Sequence, residues 1–247
     1  MQQAHVPAAG TRYWFALSLA SIFGANTGDF IARYLHLGHA GGLPALAILF
    51  ALILVFERRD RAAHQAYYWM AIIVVRTAAT NLADLGASDF RLGRLGLTAA
   101  LGVLLAAVLV FTPPSKSDQA SNHWPFGLPT TDVRYWAAML IAGTLGTVIG
   151  DMASFRSGLG TAGASLIEGG ILLALLLVGR TGPLASLWFY WLTVVTVRAA
   201  GTSFGDFLAH DIFGLAVSTL VTGLVFVATL LLWRERAPAP LRSGEAV

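Results

Sequence analysis

Residues 190–207 read YWLTVVTVRAAGTSFGDF, an apolar stretch that ends with an aspartate, Asp206, directly after a glycine. The same pattern begins three more times: YWFALSLASIFGANTGDF at Tyr13, YWMAIIVVRTAATNLADL at Tyr68 and YWAAMLIAGTLGTVIGDM at Tyr135. In every copy an aspartate follows the tryptophan by 15 residues without a gap, and these four are Asp29, Asp84, Asp151 and Asp206. Such an alignment indicates a fourfold internal repeat, and the repeat decides the architecture.

The repeats pair into two halves. Units one and two begin 55 residues apart, at Tyr13 and Tyr68, and so do units three and four, at Tyr135 and Tyr190. The junction between the pairs is lengthened by the polar stretch TPPSKSDQASNHWPFGLPTTD. The predicted organisation is a first half at 1–112, a cytoplasmic linker at 113–133, and a second half with a short cytoplasmic tail at 134–247.

The composition predicts an integral membrane protein. The chain of 247 residues is 56% hydrophobic and 12% charged, its mean hydropathy is +0.69, and several apolar runs are too long for ordinary core helices. The predicted fold is all-α, with eight transmembrane helices as two parallel four-helix halves built from four two-helix repeats. The spans are expected at residues 13–33, 41–57, 67–88, 93–112, 134–154, 160–179, 185–208 and 211–234.

The basic residues predict the topology. Ten lie on the side of the N-terminus: Arg12, Arg58, Arg59, Arg61, Lys116, Arg134, Arg180, Arg234, Arg236 and Arg242. Only Arg33, Arg91, Arg94 and Arg156 lie in the opposite loops, so both termini are expected in the cytoplasm. The first apolar run carries polar residues and starts a repeat, so the N-terminus is expected to be retained. The pI of about 9.6 therefore reports topology, and no nucleic-acid partner is predicted.

Two further features of the repeat predict helix packing. The tyrosine and tryptophan that open each unit are typical of an aromatic belt at the cytoplasmic interface, with Trp14, Trp69, Trp136 and Trp191 at one membrane face. Small residues stand five positions and one position before each aspartate, as Gly201 and Gly205 do in unit four. This spacing lets helix backbones approach closely, so the aspartates are expected to face protein and not lipid.

The four aspartates are the main candidate site. Each lies about 22 Å along its helix from the tryptophan, so together they should form a layer in the outer half of the membrane. An unpaired charge there costs about 3 kcal/mol or more, which favours either an ion or proton site or a polar network that locks the helices together. The nearby oxygen-bearing side chains could complete such a site or hold helices together: Asn26, Asn81, Thr80 and Thr202.

Arg76 and Arg198 occur only in units two and four, eight residues before the aspartate. They are about 12 Å from their own helix's aspartate and are therefore expected to pair with acidic groups on neighbouring helices. Glu168 is the one other acid inside a span and a candidate partner. Inside the spans the four aspartates and Glu168 outnumber the two arginines. This excess of acidic residues suits a cation or proton pathway better than an anion site, although burial would keep some of the carboxyl groups neutral.

Other chemistries find little support in the sequence. The absence of cysteine excludes disulfides, thiolate metal sites and iron–sulfur clusters. His36 and His39 have a spacing that can share a metal ion, but no third ligand matches it, and surface histidines are the preferred interpretation. No nucleotide-binding, serine-hydrolase or zinc-protease motif is present, so no cofactor is predicted and an enzyme is disfavoured.

The YW pair, the glycine-aspartate in the same helix and a following LG (Leu37-Gly38, Leu92-Gly93, Leu159-Gly160) resemble a bacterial family of uncharacterised membrane proteins. That family is described as four tandem repeats of unknown function, each with two transmembrane helices. The resemblance implies a bacterial inner-membrane location and no activity. Unit two departs from the pattern with Ala83 before its aspartate, and unit four has Phe213-Gly214 one position early.

The leading hypothesis is a small multi-pass transporter or permeation protein that handles a cation or proton through the aspartate layer. The alternative is a non-transporting scaffold, assembly factor or sensor whose buried charges specify helix packing. A membrane-embedded enzyme comes third. The expected partners are the lipid bilayer, a small ion or solute, and other copies of the chain in a homo-oligomer.

Overall fold

A computed structural model describes residue 7 and residues 10–60, 65–111, 131–179 and 186–233. All regular secondary structure in these residues is helical. The expected linker at 113–133 lies almost wholly outside them, as does the tail after residue 233.

The helices follow the repeat. In chain order they are α1 Thr11–Asp29, the short α2 Gly38–Gly41, α3 Leu43–Arg59, α4 Gln65–Asp84, α5 Arg94–Val110, α6 Val133–Phe155, α7 Gly160–Gly179, α8 Leu187–Asp206 and α9 Leu215–Leu232. Three of them continue past the aspartate as π-helical turns, at Phe30–Tyr34, Leu85–Asp89 and Phe207–Ile212. In each unit the first helix therefore ends near the aspartate, and α3, α5, α7 or α9 leads the chain back.

The LG motif has a backbone cause. The glycine at this place stands at the start of the returning segment of each unit and adopts a positive φ: 64° at Gly38, 73° at Gly93, 68° at Gly160 and 77° at Gly214. Residues with a Cβ rarely adopt this conformation, which explains why glycine recurs there.

Among the residues that the structure describes, six helical segments are long and apolar enough to cross a membrane: Thr11–Tyr34, Gly38–Arg59, Gln65–Asp89, Val133–Phe155, Gly160–Gly179 and Leu215–Leu232. They indicate a membrane-embedded protein. The other two expected spans correspond to α5, an apolar helix of 17 residues, and to α8 with its π-helical extension, which is not among the six.

Four helices form the centre of the molecule. α1 packs against α4, α4 against α6, α6 against α8, and α8 against α1, so the first helices of the four units close a ring. The returning helices surround this ring. Each packs on the first helix of the next unit: α3 on α4, α5 on α6, α7 on α8 and α9 on α1. Large apolar side chains of these outer helices are exposed, as Leu220 and Leu224 are on α9.

The small residues lie where the central helices cross, as the sequence predicts. A Cβ at Gly24 of α1 would come within 2.5 Å of the Arg76 Cγ on α4, and one at Gly28 would come within 2.8 Å of the Thr80 Cβ. On α6, a Cβ at Gly150 would come within 2.8 Å of the Ala199 carbonyl oxygen on α8. The small residues thus allow close backbone contact between consecutive units.

The tyrosine-tryptophan pairs do not form the expected lipid-facing belt. All eight side chains are buried, from Tyr13 at 1% exposed to Trp136 at 7%. The four tyrosine hydroxyls meet in a closed cycle, at 3.0 Å (Tyr13 and Tyr68), 2.6 Å (Tyr68 and Tyr135), 3.4 Å (Tyr135 and Tyr190) and 2.8 Å (Tyr190 and Tyr13). This tyrosine layer closes one end of the central bundle.

Candidate functional site

Residues at every fourth position of the central helices stack into layers along the bundle. The tyrosine layer lies sixteen residues before the aspartates. Twelve before them is a fully buried aliphatic layer: Leu17, Ile72, Met139 and Val194. Eight before is a layer of Ser21, Arg76, Gly143 and Arg198, and four before is the threonine layer of Ala25, Thr80, Thr147 and Thr202. Since one turn advances the chain by about 5.4 Å, each layer is roughly one helical turn from the next.

The four aspartates line one cavity of about 640 Å³ at the end opposite the tyrosine layer. Asp29, Asp84, Asp151 and Asp206 are joined there by the threonine layer and by residues four positions after each aspartate, among them Arg33, Phe155 and His210. The carboxylates of four separate repeats therefore share one polar chamber, and we call it the aspartate cavity.

Two of the aspartates have basic neighbours within ion-pair distance. Arg33 Nη2 lies 3.4 Å from Asp29 Oδ1. His39 lies between two carboxylates, with Nε2 4.0 Å from Asp84 Oδ2 and Nδ1 3.1 Å from Asp89 Oδ2. The expectation that His39 is a surface residue is wrong, because its half-buried ring lines the cavity, and the exposed His210 lines it too.

Arg76 lies beneath the cavity and is completely buried. Its guanidinium donates to three hydroxyls of the threonine layer, at 3.1 Å to Thr80, 2.5 Å to Thr147 and 2.6 Å to Thr202. It also donates to the Ser21 carbonyl at 3.1 Å and the Arg198 carbonyl at 3.3 Å. Its charge therefore lies one layer below the aspartates, bound to neutral oxygens.

Arg198 occupies the same repeat position and takes the opposite direction. Its Nη2 approaches the Met139 sulfur in the aliphatic layer at 3.2 Å, while its buried Nε and Nη1 have no hydrogen-bond partner among the described residues. The two arginines are thus not equivalent, although their sequence positions are.

The predicted pairing of these arginines with acidic groups is wrong. Within the described residues, no carboxylate oxygen lies within ion-pair distance of Arg76 or Arg198. Glu168, the candidate partner, instead accepts a hydrogen bond from the Ser203 hydroxyl at 2.7 Å. Glu168 belongs to the outer helix α7 and contacts the α8 side chain that faces α7, so it lies apart from the central layers. Spacing along a single helix cannot show which neighbouring helix a side chain meets.

Asn26 and Asn81 also lie away from the cavity. Asn26 Nδ2 donates to the Ser218 hydroxyl on α9 at 2.6 Å, so it joins an outer helix to the ring. Asn81 is completely buried and its amide has no partner among the residues described. Of the predicted site residues, the four aspartates with Thr80 and Thr202 therefore line one cavity, with Arg76 below them.

The described residues contain no group of three or more histidine, aspartate or glutamate side chains close enough to hold a metal ion. The carboxylates line the wall of a chamber and do not converge on one point.

A family described as Repeat of Unknown Function (DUF347) matches residues 12–62, 134–179 and 189–236. The chain belongs to this family. The three matches cover units one, three and four of the DUF347 repeat, and the second unit, which contains Arg76 and Asp84, lies outside them. No curated protein and no solved structure matches the chain.

The chain of this DUF347 protein also contains site residues that the sequence reasoning missed. His39 and Arg94 line the cavity, and both directly follow the positive-φ glycine of their units. Aligning the residue after the LG motif would have identified them. Thr147 also lines the cavity. Unlike His39 and Arg94, it can be identified from the alignment of the four first helices, because it shares the repeat position of Thr80 and Thr202.

Proposed function

We propose that the protein is a small multi-pass transporter of the bacterial inner membrane, linked to a cation or a proton through the aspartate layer. The supporting observation is that Asp29, Asp84, Asp151 and Asp206 line one cavity although they come from four separate repeats. A carboxylate in a membrane is costly unless it is compensated, and four in one chamber provide a strong attraction for positive charge.

The proposal includes eight membrane crossings with both termini in the cytoplasm. α8 is enclosed by α1, α6 and α7, so its polar residues need not face lipid. α5, with 17 residues, is about 25 Å long and can cross a thin or locally compressed bilayer. In this topology the tyrosine layer lies at the cytoplasmic end and the cavity opens to the outside.

Transport is tested with purified protein in liposomes, screened with a panel of cations under imposed pH gradients. In the double variant Asp84→Asn/Asp206→Asn, each asparagine keeps the shape and hydrogen-bonding capacity of the aspartate. It carries no charge and cannot gain or lose a proton. We expect this variant to fold normally and to lose flux. Asp211→Asn is the matched control, because Asp211 binds the Thr161 hydroxyl and is not among the residues that line the cavity.

The closed end of the bundle favours the second candidate, a non-transporting scaffold, assembly factor or sensor. The tyrosine cycle and the buried aliphatic layer leave the cavity open at one end only. A scaffold would tolerate the double variant or gain stability from it, because a desolvated charge is removed. Wild-type flux in Asp84→Asn/Asp206→Asn would contradict the transport proposal and leave the structural role.

A further inference from the structure

The repeat supplies a basic side chain to the first two aspartates. Asp29 has Arg33 on its own helix at 3.4 Å. Asp84 has His39 at 4.0 Å, and His39 is the residue directly after the positive-φ glycine of the preceding unit. Basic groups thus reach an aspartate either from four positions later on the same helix or from the start of the preceding unit's returning segment.

The third aspartate has a basic residue at the corresponding place in the repeat, although no ion pair joins Arg94 to Asp151 among the described residues. Arg94 directly follows the positive-φ Gly93 of unit two, the position that His39 has in unit one. It begins α5, which packs on α6, and it lines the same cavity as Asp151 on α6. The returning segment of unit two therefore brings a guanidinium to the wall of the cavity that Asp151 also lines.

Asp206 is the exception. The residue at the corresponding place in unit three is Thr161, which is neutral and donates its hydroxyl to Asp211. The residue four positions after Asp206 is His210, whose ring stands edge-on to Phe155 at 6.0 Å and 86°. No ion pair joins His210 to Asp206 among the described residues.

One oxygen of Asp206 has no partner. The residue is only 7% exposed, it lines the cavity, and its Oδ2 makes no hydrogen bond within the described part of the chain. A buried carboxylate oxygen without a donor is costly, so the site is complete only with a donor that the described residues do not supply.

The charges around the cavity indicate the net charge of the ligand that would carry this donor. Four aspartates face Arg33 and Arg94 in the cavity wall and Arg76 in the layer below, which leaves one negative charge when all four carboxyl groups are ionised and the histidines are neutral. Arg198 does not contribute here, because its Nη2 points to Met139 in the aliphatic layer. A single positive charge would balance the cavity.

We propose that Asp206 binds a small organic monocation with N–H donors, a guanidinium or a primary ammonium, in the place where the other units provide a basic side chain. This assignment rests on the proposed function and names its substrate class. The ligand has the chemistry of the groups it replaces, since Arg33, Arg94 and His39 all present N–H donors to the cavity wall.

A metal ion fits the same place poorly. Calcium and magnesium require about six or more oxygen ligands, whereas Asp206 supplies two oxygens. The Thr202 hydroxyl one turn below already accepts from Arg76 at 2.6 Å and donates to the Arg198 carbonyl at 3.0 Å. The aromatic rings of Phe155 and His210 at the rim instead suit the flat or apolar body of an organic cation.

The test is equilibrium binding to the full-length protein in lipid nanodiscs, without a gradient, by isothermal titration calorimetry. The probes are guanidinium and methylammonium, compared with sodium, potassium and magnesium at the same ionic strength. We expect an organic cation to bind the wild-type protein and to bind Asp206→Asn at least about tenfold more weakly, because a charge-assisted hydrogen bond is removed.

The second variant, Thr161→Arg, keeps Asp206 and adds the basic side chain that the repeat pattern lacks there. The tethered guanidinium should compete for Asp206 and weaken binding of the probe by about tenfold or more. Thr161→Gln is its matched control, with a long but neutral side chain, and should bind within about threefold of wild type. Thr161→Arg also keeps the test decisive if Asp206→Asn fails to fold.

Three results would overturn the assignment: no binding of either organic cation by the wild-type protein, unchanged probe binding in Asp206→Asn, or unchanged probe binding in Thr161→Arg. The calorimetric experiment measures equilibrium binding and not transport, so its result can contradict the binding site without contradicting the transport proposal. Organic-cation binding without transport would remove the proposed function and keep the site, whereas metal-ion flux without organic-cation binding would do the reverse.

Discussion

Arg76 shows how a membrane protein can bury a guanidinium without an adjacent carboxylate. Its Nε, Nη1 and Nη2 all donate to hydroxyl or carbonyl oxygens, and the negative charge that balances it lies a layer away in the aspartate cavity. Arg198 has two of its three nitrogens unpaired among the described residues. The two arginines should therefore differ in what they contribute to stability.

We expect Arg76→Gln to lower the stability of the protein by about 2–4 kcal/mol, because it removes several charge-assisted hydrogen bonds and the positive charge below four carboxylates. Arg198→Gln should cost distinctly less, since it removes a buried charge with few partners. Thermal unfolding in detergent, followed by size-exclusion chromatography with fluorescence detection, compares the two. Equal losses would contradict the difference between their environments.

The repeat predicted the aspartate layer because a shared position in four copies gives a shared depth and a shared face. It did not predict the partners of Arg76, Arg198 and Glu168. Spacing along one helix fixes the distance between two residues, but the direction of a long side chain depends on which neighbouring helix leaves room for it. The same limit explains why His39 was taken for a surface residue although it lines the cavity.

At the scale of the helices, the crossing of α6 and α8 depends on Gly146. A Cβ at this position would meet the Arg198 Cβ, the Ala199 nitrogen at 2.9 Å and the Val195 carbonyl oxygen at 2.9 Å. Two of these atoms belong to the backbone, so a side-chain rearrangement cannot relieve the contact. The helices would have to separate.

Gly146→Ala is expected to destabilise the protein by about 1–3 kcal/mol, the usual cost of overpacking. Gly102→Ala on α5 is the control, because nothing lies within 4 Å of its added Cβ, and alanine there should be neutral or stabilise the helix by up to about 1 kcal/mol. The melting temperatures of the two variants in detergent measure the difference. A Gly146→Ala protein as stable as Gly102→Ala would show that the crossing is looser than described.

The aromatic pairs show why the environment of a helix face is hard to predict in a membrane protein. Lipid and protein interior are both apolar, so tyrosine and tryptophan suit either one. Only the fourfold repetition hints that Tyr13, Tyr68, Tyr135 and Tyr190 face one another, because equivalent positions around a ring approach the same axis.

At the scale of the whole molecule, the last unit meets the first, because both α8 and α9 pack on α1. α9 packs on α1, with the rings of Phe23 and Phe226 stacked at 6.3 Å and Asn26 hydrogen-bonded to Ser218. The repeat offsets could not reveal this contact, since they fix the order of units along the chain and not which helices meet. The arrangement as two four-helix halves remains a prediction.

The chain has no cysteine, so introduced pairs can test ring closure directly. We expect Asn26→Cys/Ser218→Cys to form a disulfide on mild oxidation, because the two side chains are in contact at 2.6 Å. When the chain is then cleaved at a protease site inserted in residues 112–130, the disulfide should keep the two fragments joined on a non-reducing gel. Asn26→Cys/Ser165→Cys is the control, because Ser165 lies on α7, which packs on α6 and α8. Equal cross-linking of both pairs would argue against the closed ring.

Because every outer helix packs on the next unit and the last packs on the first, the ring has no intrinsic starting point. The beginning of α1 and the end of α9 lie side by side, with the Phe15 and Trp233 rings 6.0 Å apart. A circular permutant that starts at α4 and finishes at α3 would make the same contacts in a different order. The same geometry would let a lone two-helix unit complete itself with three copies, so the present chain has the form expected of a homotetramer whose subunits became fused by gene duplication.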